Sequence, residues 1–180
     1  DRVSGPEARV RVRPAKGGDP AGLTLKLGEV DVTGQLEVID GALEGVDAVY
    51  VTAGDPNPER TPSIIAALER GGADLIELGV PFSDPVADGP VIQLASDRAL
   101  AAGTNLKAVL GIAIKIRETS QVPLLLFSYL NPLLRYGFDA LAHDAVTAGI
   151  DGCLITDLSV EEAADYVSRM RTTGLDTVFL

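Results

Sequence analysis

The chain has 180 residues, 46% of them apolar, and a formal charge of −11, enough for one substantial core or a main domain with a small attachment. A strongly acidic surface repels phosphate backbones, which argues against nucleic-acid binding, and no apolar run approaches the length of a membrane-spanning helix. Cys153 is the single cysteine, so no intrachain disulfide framework is expected and a reducing, cytoplasmic setting fits best; the charged and polar first residues do not read as a secretory signal.

Residues 1–45 differ from the rest. Val10, Val12, Leu23, Leu25, Leu27, Val30 and Val32 alternate with polar residues, the period of half-exposed strands. Pro14, the Gly17–Pro20 cluster and Gly34 read as turns. This predicts a short β-rich segment of unknown origin, built from a few antiparallel strands.

From residue 46 apolar runs alternate with amphipathic stretches. Ala48–Thr52, Leu75–Gly79, Pro123–Ser128, Gly152–Thr156 and Thr177–Leu180 are short and nearly all apolar, as strands buried on both faces of a parallel sheet are. Between them the pattern predicts helices over Val91–Ala102, Leu106–Glu118, Phe138–Ala148 and Val160–Thr172. An earlier helix is capped by Thr61, with Pro62 in its first turn and Gly71-Gly72 after its end. A weak repeat punctuates the chain: Gly45-Val46-Asp47, Gly72-Ala73-Asp74, Gly149-Ile150-Asp151 and Gly174-Leu175-Asp176 each precede an apolar run. The glycine suits a helix end, and the recurring unit implies right-handed parallel crossovers. An open doubly wound sheet and a β/α barrel both satisfy this pattern. No Gly-x-Gly-x-x-Gly or P-loop follows any strand, which disfavours the nucleotide-binding versions.

Glu77 sits inside the apolar run Leu75-Ile76-Glu77-Leu78-Gly79. Burial favours the neutral form of a carboxyl and suits it to proton exchange near neutrality, and functional groups of parallel β/α folds gather at the carboxyl ends of strands. The plainer reading is a glutamate paired with Arg or Lys across the sheet, or one facing water. The loop Gly79–Pro90 that follows is stiffened by proline and carries Asp84 and Asp88. Asp88 stands just before Gly89-Pro90, where aspartates often cap a helix. A second carboxylate beside a buried glutamate also suits a division of labour, one moving protons while the other stays ionised.

The strings Val51-Thr52-Ala53-Gly54-Asp55-Pro56 and Glu77–Gln93 resemble the tryptophan synthase α family. Arg98–Gly103, Tyr129-Leu130-Asn131-Pro132 and Asp157–Glu162 add to the resemblance, which covers about residues 47–180. It implies a lyase that cleaves indole-3-glycerol phosphate to indole and glyceraldehyde 3-phosphate by a retro-aldol step. By the same resemblance Glu77 is the acid–base residue, and Asp88 contacts the indole N–H and stabilises the cation formed on protonation. Tyr50, Ile92, Phe127 and Tyr129 fall on positions lining the indole pocket, although core packing accounts for Ile92 and Phe127 nearly as well. Pro81, Asp84, Pro85 and Asn131 fall on the contact surface for a β subunit. That partner carries pyridoxal phosphate, while the α subunit uses no cofactor. No metal site is expected. His143 reads as a surface helix residue, Cys153 as a packed strand residue, and Asp157 as a cap.

A complete barrel of this type needs about 250 residues and eight strands. The expected fold is therefore a partial TIM (β/α)8-type barrel of about five parallel strands over residues 46–180. The family's leading helix is replaced by the β-rich segment, and its phosphate-binding loops after the later strands have no counterpart. Such a half-barrel leaves parallel edges and an inner face uncovered, which invites self-association. Two other readings stand beside the lyase: an inactive truncated or fused fragment that keeps the β-subunit contact loops, and another sugar-phosphate barrel enzyme such as an epimerase. The long Glu77–Gln93 string argues against the last.

Overall fold

The computed structural model describes residues 47–179 and, within residues 1–46, the backbone of five short strands. Of these, β1 (Val3–Gly5) pairs antiparallel with β2 (Ala8–Val10), and β3 (Lys26–Leu27) with β4 (Val30–Asp31). The expected turns at Pro14, Gly17–Pro20 and Gly34 lie outside the described residues.

β5 (Leu36–Ile39) runs antiparallel along β6 (Ala48–Thr52) and forms one edge of a six-stranded sheet ordered β10-β9-β8-β7-β6-β5. β6, β7 (Leu75–Gly79), β8 (Leu124–Ser128), β9 (Gly152–Ile155) and β10 (Asp176–Val178) are mutually parallel. Between them run α1 (Thr61–Arg70), α2 (Pro90–Ala101), α3 (Leu106–Arg117), α4 (Leu130–Tyr136), α5 (Phe138–Thr147) and α6 (Ala164–Thr173). Three expectations need correcting. Thr61 does not cap α1: the N-cap is Arg60, without a side-chain bond, and the Thr61 hydroxyl accepts from Gly54 N–H at 3.0 Å. α6 starts four residues later than the apolar spacing predicted, because Val160–Glu162 form a turn instead. α4 was not anticipated, since one short helix directly after a strand offers too few residues to display a period.

Side chains alternate between two faces of the sheet, as a strand requires. Val49, Val51, Ile76, Leu78, Leu124, Leu126, Cys153 and Ile155 join the core that also takes in α1, α3, α5 and α6. Tyr50, Glu77, Leu125 and Leu154 occupy the opposite face. That face is not left open as expected: these four are 5%, 7%, 7% and 2% exposed. Large apolar side chains left in water would forfeit about 25 cal/mol for each Å² of surface. Among the described residues no single helix is long and apolar enough to cross a membrane.

The Gly-x-Asp repeat fixes the starts of the strands. Gly72, Gly149 and Gly174 all take positive φ (102°, 79° and 84°), a region that side chains with a Cβ avoid. Each following aspartate then ties back to the strand before. The Asp74 carboxylate accepts from Asp47 N–H at 3.0 Å, and Asp151 from Leu124 N–H at 2.8 Å. Arg117, at the end of α3, extends this network. Its guanidinium donates to the carbonyls of Gly149 (2.8 Å) and Val122 (2.6 Å) and to Asp151 Oδ2 (2.7 Å). One side chain thereby joins α3, the entry to β8 and the entry to β9.

Hydrogen bonds from a charged donor contribute about 1.5–3 kcal/mol each, and loss of the donor leaves acceptors unpaired. Arg117→Ala should therefore lower the free energy of unfolding by about 2–3 kcal/mol in a urea titration, with Asp151→Asn costing less because its carboxylate is more than half exposed.

Candidate active site

Register places the central side chains. Tyr50, Glu77 and Leu125 are direct neighbours across β6, β7 and β8, and Thr52, Gly79 and Phe127 form the next row toward the carboxyl ends. The Tyr50 ring leans over that second row. It meets Phe127 edge-on, with centroids 5.1 Å apart and planes at 77°, a favoured aromatic geometry. Thr52 Oγ1 donates to the Tyr50 hydroxyl at 3.5 Å. Gly79 leaves the space that the ring fills, since a Cβ there would lie 2.2 Å from the Tyr50 oxygen.

The loop from β7 to α2 brings the second carboxylate. Asp88 is half-buried, and it does not cap α2; Gly89 is the N-cap and supplies no side-chain bond. The Asp88 carboxylate instead lies within reach of the Tyr129 hydroxyl, which pulls its pKa down while burial pushes it up. Tyr129 stands at the mouth of β8, buried, with its ring tilted against Phe82 at 5.5 Å. Its oxygen also accepts from Ala87 N–H at 3.0 Å. One tyrosine thus holds the loop backbone and the carboxylate together.

Burial pushes the Asp88 carboxyl above the usual aspartate range, and the Tyr129 bond opposes it. The Tyr50 phenol is likewise pushed well up, first by burial and further by the charges of Asp88, Tyr129 and Glu77. A raised carboxyl pKa in the fold means that protonated Asp88 favours folding. That contribution is present below the ordinary aspartate pKa and lost as pH rises through the raised value.

The other predicted positions separate into two groups. Ile92 is half-buried in the first turn of α2, and Phe127 is half-buried on the Tyr50 side of β8. Pro81, Asp84 and Pro85 lie in the loop after β7, and Asn131 at the start of α4. Pro81 joins Phe82, Leu106, Pro132 and Tyr136 in lining an open groove of about 330 Å³, while Asp84 and Asn131 are exposed and Pro85 is half-buried. Glu77, Asp88 and Tyr50 do not line this groove, so it is a surface beside the carboxylates rather than their cavity. Asp157 accepts from Leu130 N–H at 2.6 Å and so caps α4 from the loop after β9. His143 is exposed and pairs with Asp144. Cys153 is fully buried, and burial pushes its thiol up to about 12, which leaves it inert. Among the described residues no group of three or more His, Cys, Asp or Glu is arranged to hold a metal.

Some residues of the site were not singled out from sequence. Thr52 shares the two-residue parity of Tyr50, a signal that would have found it. Gly79 and the ion pair between Asp55 and Arg98 carry no comparable signal, because their partners lie far away along the chain.

The tryptophan synthase alpha chain family model matches residues 46–180. The chain belongs to this family. It is 71% identical over 131 residues to the tryptophan synthase alpha chain of Solibacter usitatus (strain Ellin6076), and 54% to that of Citrifermentans bemidjiense, covering 73% of this chain and 49% of each relative. The tryptophan synthase alpha subunit of Legionella pneumophila str. Paris superposes with a TM-score of 0.70 at 46% identity, covering 71% of this chain and 49% of that one. The Pyrococcus furiosus tryptophan synthase a2b2 complex contributes a chain matching at 0.69 and 41%, covering 72% and 52%. This chain thus spans about half the length of the family members it matches, and its five parallel strands form the corresponding part of a TIM barrel.

Substitution of Gly79 tests the aromatic arrangement. Gly79→Ala should displace the Tyr50 ring and abolish nuclear Overhauser contacts between Tyr50 and Phe127, with a stability loss of about 1–3 kcal/mol typical of overpacking.

Proposed function

We propose that Glu77 and Asp88 are the acid–base pair of a lyase that cleaves indole-3-glycerol phosphate into indole and glyceraldehyde 3-phosphate. The observation that carries this reading is a buried carboxylate, Glu77, in register beside Tyr50 on the sheet face that Phe127 shares, with half-buried Asp88 brought up by the loop that follows. Apolar walls strengthen electrostatic interactions inside a site, and the flat indole ring matches aromatic surfaces in kind.

The chemistry divides between the two groups. Neutral Glu77 gives its proton to the ring carbon bearing the glycerol chain, which leaves a cationic, iminium-like ring. Ionised Asp88 accepts from the indole N–H and stabilises that charge. The Glu77 carboxylate then takes the proton of the neighbouring side-chain hydroxyl as the carbon–carbon bond breaks. The bonding electrons return to the ring, giving neutral indole and an aldehyde, and Glu77 ends as it began. No water is consumed and no redox partner is required.

A β-type subunit is the proposed partner, seated on the groove beside Pro81, Phe82 and Pro132 with Asp84, Pro85 and Asn131 at its margin. The Pyrococcus furiosus tryptophan synthase a2b2 complex supports a β-subunit partner of this kind. The cofactor, pyridoxal phosphate, would belong to that partner, and the single buried thiol fits a cytoplasmic setting. A second reading keeps the groove without the chemistry, and the separation of the groove from Glu77 favours considering it.

Lyase assays with and without a β subunit decide between the two. Glu77→Gln should cut kcat by about a hundredfold or more, the worth of a positioned acid–base group. Asp88→Asn should cut it by a similar factor, as loss of one preorganised charge does. Wild-type protein that is folded, binds a β subunit and cleaves nothing would establish the second reading instead.

The pH profile offers a separate check. Because Asp88 must be ionised and burial raises its pKa, activity should fall on acidification at a higher pH than an ordinary aspartate would dictate. An acid limb that persists unchanged in the residual activity of Asp88→Asn would assign that limb to another group.

A further inference from the structure

Asp55 is fully buried, at the end of β6, and a buried carboxylate is costly unless paired and hydrogen-bonded. Its partner comes from α2. Arg98 Nε and Nη2 donate to the two Asp55 oxygens at 2.8 and 2.9 Å, a fork-to-fork pairing. α2 also turns the small residues Ala95, Ser96 and Ala99 inward, all at most 2% exposed, which lets the helix lie close to its neighbours. Just beyond α2, Thr104 packs against Gly54, where a Cβ would stand 2.1 Å from the Thr104 hydroxyl. The turn after β6 and the far end of α2 therefore interlock.

The near end of the same helix holds Asp88. Gln93 Nε2 donates to the Asp88 carbonyl at 2.8 Å, and Gln93 N–H to the Gly89 carbonyl at 3.0 Å. Asp88 is thus fastened to α2 through its main chain and to β8 through Tyr129. A helix of this length moves as a rigid rod. Where its last turn is anchored decides where its first turn stands.

We infer that the Asp55–Arg98 ion pair is a positioning device that sets the place of Asp88 by anchoring α2 to the turn after β6. The pair grips the last turn of α2 while Asp88 stands just before its first, so the helix is the link between them. Arg98 lies about 15 Å along the helix from Asp88, beyond the screening length of about 8 Å at physiological salt. Direct charge–charge influence between them is small, and geometry is the remaining route. The inference uses the lyase reading only for the job that Asp88 performs.

Arg98→Lys separates this role from simple stabilisation, because it keeps the charge and breaks the fork. The Asp88 carboxyl carbon would be followed by NMR titration, assigned by its loss in Asp88→Asn, with Tyr129 and Tyr50 as the titratable groups facing it. In Arg98→Lys and Asp55→Asn the first turn of α2 should loosen and hydrate, and the Asp88 pKa should fall by about 0.5 or more toward the ordinary value. In the lyase assay kcat should fall by about tenfold with little change in KM, since misplacement harms the reacting geometry more than binding. A folded Arg98→Lys variant with lower thermal stability but an unchanged Asp88 titration would overturn the inference. Should Asp55→Asn fail to fold, Arg98→Lys carries the result, since its side chain is about half exposed. Wild-type protein without lyase activity would remove the proposed reaction while the titration still tests the positioning.

Discussion

Everything in this site depends on how a carboxylate is kept among apolar strands. Glu77 occupies the centre of β7 with Tyr50 and Leu125 beside it, while its sequence neighbours Ile76 and Leu78 turn to the helix-facing core. The two-residue period makes this arrangement all or nothing. A one-residue slip of β7 would bury the carboxylate among Val49, Val51, Leu124 and Leu126 and turn Ile76 and Leu78 to the opposite face. The hydrogen bonds at the strand entries guard against that slip, with Asp74 tied to the start of β6 and Asp151 to the start of β8.

The second constraint is the path of the loop that follows. Asp88 reaches the neighbourhood of Tyr50 because its segment is fixed at several points. Tyr129 holds Ala87 and the carboxylate, Gln93 holds the Asp88 carbonyl, and Asp55 with Arg98 holds the helix behind. None of these supports is adjacent to Asp88 in sequence. The carboxylate is thereby placed where burial raises its pKa while a phenol donor keeps the ionised form accessible. Folding and chemistry make opposite demands on it, since the fold favours the protonated acid and the proposed reaction needs the anion. A local balance of this kind is typical of catalytic positions.

The groove lined by Pro81, Phe82 and Pro132 adjoins this machinery through the ring of Phe82 on the ring of Tyr129. The groove proposed for a partner and the carboxylate proposed for chemistry thus share the same short loop. The economy follows from the fold, in which loops at the carboxyl ends of parallel strands converge on one side of the sheet.

The sequence by itself determined the five parallel strands, because runs buried on both faces are apolar throughout and need no partner to be recognised. It also exposed Glu77, since a charge inside such a run violates the local pattern, and the long Glu77–Gln93 string carried the family. The tertiary structure decided what local patterns cannot encode. Asp88 preceded a helix and read as a cap, yet Gly89 took that place and Asp88 turned to Tyr129, forty-one positions on (88 to 129). The opposite face read as open from strand count alone, whereas Tyr50, Glu77, Leu125 and Leu154 are buried. The pairing of Asp55 with Arg98 was equally invisible. Periodicity reports which way a side chain faces within its own element; which distant group it meets there is set only when the elements pack.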